Sequence, residues 1–230
     1  MRLNIQSLNL EELRLPLLAM VLLTACTPTP PAEVDVLLRP EAQGGASYTL
    51  RISSSYFIRE TNLREATSSG TDLLGLWAVY PELEGMSEKN RPSLTNGQTP
   101  SKAVQFFLRV ALPWDKDWAT ERLEDRLTEP EDSPTKLRAA SSASNESVRE
   151  YEYVNSPEHW KAYFLTGAQG PVFIECRGTL CKAYRSWQGK LTLQYHFFGG
   201  EIADFARLDR DLVGLVGTFS VAAYAGAASP

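Results

Sequence analysis

The chain has 230 residues, 43% of them apolar and 10% aromatic, enough to bury a core in one domain or two small ones and too apolar for a disordered polypeptide. Its formal net charge of −5 argues against nucleic acid as a partner, because cations drive binding to phosphate.

The N-terminus is the most informative segment. Leu15 to Ala25 reads LPLLAMVLLTA, apolar and uncharged, with Arg14 before it and Arg2 further upstream. The run is too short to span a bilayer as a helix and suits the apolar centre of a secretory signal. It ends in Leu23-Thr24-Ala25-Cys26, which has the form of a lipobox: an aliphatic residue, two small residues, then a cysteine. Residues 1–25 are therefore expected to be a lipoprotein signal peptide, with Cys26 carrying the lipid as the first mature residue. The competing reading is an ordinary secretory signal with a chance cysteine, and Glu11 and Glu12 stand where such a leader is normally basic. Cleavage would remove two arginines and two glutamates, leaving the balance of charge unchanged. Each buried acyl methylene adds about 0.8 kcal/mol, so several chains give stable anchoring. Residues 26–46 are expected to form a tether, stiffened at Thr27-Pro28-Thr29-Pro30-Pro31 by polyproline geometry. Thr27, rather than Asp, follows the cysteine. By resemblance to enterobacterial sorting, that favours the outer membrane, facing the periplasm.

Beyond the tether, Tyr48–Ser53 alternates apolar and polar side chains, as a half-buried strand should. A polar stretch runs from Thr61 to Thr71. Leu73–Tyr80 is a second strand, stopped by Pro81, and 81–100 is loop. Ala103–Leu112 is a third strand, stopped by Pro113. A short acidic helix follows, capped by Asp115 or Asp117, with Ala119, Leu123 and Leu127 forming a narrow apolar stripe. Residues 115–132 hold eight acidic and three basic side chains. The helix is either a solvated face or a docking patch for a basic partner. In the second reading Trp114, Trp118, Glu121, Glu124 and Asp125 would meet that partner.

Residues 129–148 are poor in apolar side chains and are expected to be a flexible linker. Strands are then expected at Glu150–Val154, Trp160–Leu165, Pro171–Cys176, Cys181–Trp187 and Lys190–Phe197, punctuated by glycines at hairpin spacing. Ile202, Phe205, Leu208, Leu212, Leu215, Val216 and Phe219 recur at three and four residues, predicting an amphipathic helix packed on that sheet. Arg207, Asp209, Arg210 and Asp211 lie largely off its stripe, and residues 225–230 are a tail. The fold class is α+β with mostly antiparallel sheets. The expected division is a strand-rich module over 47–128 and a β-meander plus helix over 149–224.

Cys176 and Cys181 flank Arg177-Gly178-Thr179-Leu180 between two strand-like runs. Export would place them in an oxidising compartment, so a disulfide closing a hairpin is the first reading. A redox or metal pair is the rival, weakened by the spacing and by the lack of nearby histidines. The two histidines, His159 and His196, are read as structural. No metal-protease, serine-hydrolase or phosphate-loop motif is present, and neither cofactor nor metal nor enzymatic role is expected. Trp77, Tyr80, Phe106, Phe107, Trp160, Tyr163, Phe164, Tyr195 and Phe197 fall in expected strands and are read mostly as core.

Two stretches, YTLRISSSYFIR with DLLGLWAVYPELEGMSEKNR, and GPVFIECRGTLCKAYRSWQGKLTLQYHFFGGEIADFARLDRDLVGLVGTF, together suggest a family. Their layout resembles small proteobacterial lipoproteins that occur beside type VI secretion toxins, including lipase-type effectors. It rests on Tyr80-Pro81-Glu82-Leu83 closing a strand, the paired strands around Cys176 and Cys181, and the strand-to-helix run from Leu191 to Phe219. The resemblance implies an immunity protein that binds and neutralises a toxin in the periplasm. It carries over no toxin-contacting residue. The alternative is a structural or accessory envelope lipoprotein with a permanent protein partner.

Overall fold

Alternation of buried valines and leucines with exposed acids makes Glu33–Leu38 the first strand, β1, with Val36 and Leu38 fully covered. In this computed structural model residues 32–40, 46–68, 70–85, 87, 102–111, 117–140, 147–156, 160–199 and 204–223 are described. Contacts join the chain from Ala32 onward into one unit. Strand β1 pairs with β2 (Tyr48–Ser53), which pairs in turn with β11 (Ser220–Ala223) to form a three-stranded antiparallel sheet. Helix α1 (Glu60–Ser68) leads to β3 (Leu73–Val79). Backbone bonds from Arg39 N–H to Thr71 O (2.8 Å) and from Thr71 N–H to Leu37 O (2.9 Å) stitch β1 to the entry of β3.

The larger sheet has eight strands. Besides β3 these are β4 (Ala103–Val110), β5 (Leu137–Ala139), β6 (Val148–Tyr153), β7 (Lys161–Gly167), β8 (Gly170–Arg177), β9 (Leu180–Trp187) and β10 (Leu191–Phe198). Their spatial order is β3-β4-β10-β9-β8-β7-β6-β5, antiparallel throughout. Helix α2 (Trp118–Thr128) lies between β4 and β5 in sequence, and α3 (Phe205–Thr218) follows β10. The fold is therefore α+β with mostly antiparallel sheets.

Period-two burial divides the large sheet into two faces. One carries Leu76, Phe106, Leu108, Ile174, Leu193, Tyr195 and Phe197. It joins a core cluster with Val36, Leu38, Leu50 and Ile52 of the small sheet and Leu208, Leu212 and Val216 of α3. Phe205 of α3 packs on Phe197 and Tyr163, with ring centroids 5.4 and 5.3 Å apart. The opposite face holds a second cluster, in which Ala119 and Leu123 of α2 meet Leu137, Tyr151, Tyr153, Phe164, Phe173 and Tyr184.

Several expectations need correction. The tether expected over 26–46 contains β1, because Val34, Val36 and Leu38 all have the small sheet's core to enter. The linker expected over 129–148 contains an ordered turn and β5. There the Glu129 carboxylate accepts from Ser133, Thr135 and Arg126, and Lys136 Nζ donates to the carbonyls of Leu127 and Glu129 at 2.9 and 2.8 Å. Those hydroxyl donors, ahead of the Arg126 ion pair, hold Glu129 down to about 2. The two modules are not separate, since β4 of the first pairs along six positions with β10 of the second. Within the polar stretch Thr61–Thr71 lies most of α1, whose buried contacts are confined to Ala66 and, in part, Leu63. Asp209, expected off the apolar stripe, is buried on it, because Arg185 and Tyr195 of the sheet meet it there. The signal peptide, Cys26 and the tail after Ala223 lie outside the described residues.

Candidate functional site

Asp117 caps α2, its carboxylate accepting from Thr120 N–H at 3.1 Å. The first helical amide, Trp118 N–H, donates to Ser186 Oγ of β9 at 3.0 Å, which pins the helix start to the sheet. Further along, Arg126 Nε donates to the carboxylate of Glu175 on β8 at 2.9 Å. Glu175 is only 4% exposed and also accepts from Tyr153 Oη at 3.1 Å. One polar anchor at each end therefore fixes α2 over β9, β8 and the strands toward β5.

The rest of that face is not covered by α2. Strand pairing aligns its side chains in rows: Leu73, Arg109 and Thr192; then Gly75, Phe107, Gln194 and Tyr184; then Trp77, Gln105, His196 and Lys182. Leu73 is 52% exposed and Leu180, at the far end of β9, 40%. Beside α1 this floor forms a cavity of about 570 Å³, reached by Asn62 and Glu65 and floored by Trp77 and Phe107. Leu73 and Phe107 continue into a second cleft of about 330 Å³ walled by Trp118 and Arg122 of α2. A third of about 360 Å³ lies by Arg126, Arg177 and Lys182. The first two join at Leu73 and Phe107; with the third, a separate cleft further along α2, they make a segmented groove on the part of the face that α2 leaves uncovered.

Its wall is cationic and aromatic. The Arg109 guanidinium lies 5.5 Å from the Trp118 ring centre, and that of Arg122 lies 5.7 Å from Trp118 and 5.1 Å from Tyr184. Arg177 stacks similarly over Tyr153 and Trp160, at 5.7 and 5.4 Å. Burial is the main cause that raises the Tyr184 phenol to about 12, with the Glu175 charge adding to it.

His196 stands half-buried in the row of Trp77, Gln105 and Lys182. Burial, then the charge of Lys182, pushes its imidazole down to about 4. The neutral ring, with its proton on Nδ1, accepts at Nε2 from the Gln194 amide at 2.6 Å and packs 5.3 Å from Phe107. A base whose folded pKa lies below its unfolded value of about 6.5 binds its proton preferentially in the unfolded chain. Stability should therefore rise with pH between about 4 and 6.5 and fall as pH drops through that window. Allowing for the ring's partial exposure, the contribution is about 1 kcal/mol. Urea unfolding of His196→Gln across this range should give a flatter pH dependence than the parent; identical slopes would refute the assignment.

The residues expected to form an acidic patch are only partly brought together. Glu124 and Asp125 are exposed on the outer side of α2 and Glu121 is half-buried. Trp118 turns the other way, onto Tyr184 at 5.3 Å. Trp114 lies outside the described residues, as does His159. Trp118 therefore belongs to the groove and not to the acidic surface. Phe107 and Trp77, expected in the core, are half-exposed on the groove floor. A signal for this existed in β4, where Gln105, Phe107 and Arg109 alternate with the buried Val104, Phe106 and Leu108.

Cys176 and Cys181 face each other across the β8–β9 hairpin at disulfide-bonding distance, with Cα atoms 4.1 Å apart. Gly199 sits against them: a Cβ there would come within 2.6 Å of Cys181 Sγ. Among the described residues no cluster of His, Cys, Asp and Glu could hold a metal ion, and no helix is long and apolar enough to cross a membrane. No family model, curated protein or solved structure matches the chain.

Proposed function

We propose that the chain is a lipid-anchored protein of the cell envelope that acts by binding a protein partner, in the manner of an immunity protein that neutralises a secreted toxin. The lipobox at Leu23–Cys26 supports the anchor. The resemblance of its sequence layout to lipoproteins found beside type VI secretion toxins supports the kind of partner. The observation that carries the binding role is a groove left open among the described residues: the part of the sheet face beyond α2, lined by Trp77, Phe107 and arginines with Trp118 of α2, residue types enriched at protein-binding hot spots. An acylated Cys26 facing the periplasm would hold the protein at the membrane that a lipase-type toxin attacks.

Metabolic labelling with a palmitate analogue tests the anchor. The parent chain should take the label and Cys26→Ser should not, and label persisting on the variant would refute lipidation at this residue. Binding is tested with the products of the adjacent reading frames. Co-expression should protect a sensitive cell from a toxin encoded there, and the two proteins should co-purify. Protection without a complex, or a stable complex with an envelope-assembly component instead, would overturn the immunity reading.

A further inference from the structure

Cations outnumber carboxylates on the wall of the groove, in a protein whose overall charge is negative. Among the described residues Arg109, Arg122, Arg126, Arg177 and Lys182 line its two clefts beside α2, against two carboxylates, Asp72 and Glu175. Glu175 is already engaged by Arg126 and by the Tyr153 hydroxyl. Arg122 is the central case. Its guanidinium lies over two rings, and its Nε is buried with no hydrogen-bond partner among the described residues. A buried donor left unmade is costly. Stacking uses the flat faces of a guanidinium and leaves its in-plane N–H groups to meet a carboxylate. The rings also hold the group in one orientation, so less entropy is lost when an anion arrives.

We propose that this groove binds an acidic polypeptide segment of a partner, with Arg122 and Lys182 meeting its carboxylates. Lys182 is exposed on β9, next to Tyr184 and opposite His196 on β10. The apolar floor at Leu73 and Phe107 would take an apolar side chain of the same segment. Trp118 and Tyr184 pack on each other with Arg122 over both rings, as walls of clefts, which suits a peptide entering the groove better than a membrane surface receiving the face. The inference rests on the protein-binding reading, but it does not need the partner to be a toxin.

The test uses the full-length chain in mild detergent and a labelled Glu- and Asp-rich peptide containing one Leu. The same peptide with Gln and Asn is the control, and vesicles with and without phosphatidylglycerol are a third arm. Fluorescence anisotropy should show salt-sensitive binding of the acidic peptide alone. Arg122→Gln and Lys182→Gln should each weaken it about tenfold, the size expected for losing one charge-assisted contact. Glu124→Gln with Asp125→Asn, on the outer side of α2, should leave it unchanged. Lys182 is exposed, so its variant folds even if the Arg122 variant does not. Equal binding of the two peptides, no binding of either, or weakening by the Glu124–Asp125 variant alone would overturn the proposal. So would binding of anionic vesicles but not of peptide. The peptide arm involves no toxin, so an immunity role can fail in cells while the groove passes, and the reverse.

Discussion

Asp209→Ala should destabilise the protein by about 3–5 kcal/mol, the range for breaking a buried ion pair from one side. Arg185 has no solvent exposure, and Asp209 of α3 supplies the carboxylate that faces its Nη1. The other Asp209 oxygen accepts from Tyr195 Oη at 3.0 Å, and Arg185 Nη2 donates to the Gln169 carbonyl. Burial raises the Asp209 carboxyl, against the pull of Arg185 and Tyr195. Removing the carboxylate strands a fully buried cation and a buried hydroxyl under α3 at once. Replacing the charges together should cost far less, because their desolvation penalty goes with them. Arg185→Met with Asp209→Leu and Tyr195→Phe should recover most of the loss. Urea unfolding provides the measurement, and a single Asp209→Ala costing under about 1 kcal/mol would refute the account.

Much of the fold was legible because its strands are half-buried and punctuated. The run from β6 to β10 is legible nearly residue for residue, since glycines mark the three hairpins from β7 to β10 and alternation fixes each face. The start and stripe of α2 were legible for the same kind of reason, with Asp117 as cap and Ala119 and Leu123 buried. What failed was long-range. Nothing local in AVQFFLRV says that β4 will pair with a strand some eighty residues later, so two modules were expected where one sheet forms. Strand β1 alternates plainly, but it follows a proline-rich stretch and was grouped with it. Strand β11 is four residues of small side chains, too short and too bland to separate from a tail.

The site was less legible than the fold because it depends on which face α2 leaves open. Alternation identifies two faces of a strand but not which one a later helix will cover. Phe107 and Trp77 therefore passed for core. Charge counting drew attention to the acid-rich stretch 115–132, yet within α2 the arginines turn toward the sheet while Glu124 and Asp125 turn out. Aromatic and carboxylate partners on the sheet decide that rotation: Tyr184 receives Arg122, and Glu175 receives Arg126. Both partners lie some fifty residues or more beyond the helix.

Glu175→Leu tests whether that second anchor holds α2 in place. The carboxylate is 4% exposed and joins three elements, accepting from Arg126 of α2 at 2.9 Å and from Tyr153 of β6 at 3.1 Å while sitting on β8. Its loss leaves the Arg126 guanidinium facing Leu in a largely covered site, with Glu129 as the remaining carboxylate partner among the described residues. The expected cost is about 3 kcal/mol. Arg177, 3.9 Å from the same carboxylate and largely exposed, is an internal control: Arg177→Ala should cost under about 1 kcal/mol. Adding Arg126→Met to Glu175→Leu should return part of the loss, a coupling that a purely volumetric effect would not produce. Because Trp118 packs on Tyr184 beneath the same helix, loosening α2 should also redshift tryptophan emission before global unfolding. Additive energies in the double variant, with no early shift in emission, would mean that α2 is held by Ala119, Leu123 and the Ser186 contact at its start, and that Glu175 is not an anchor.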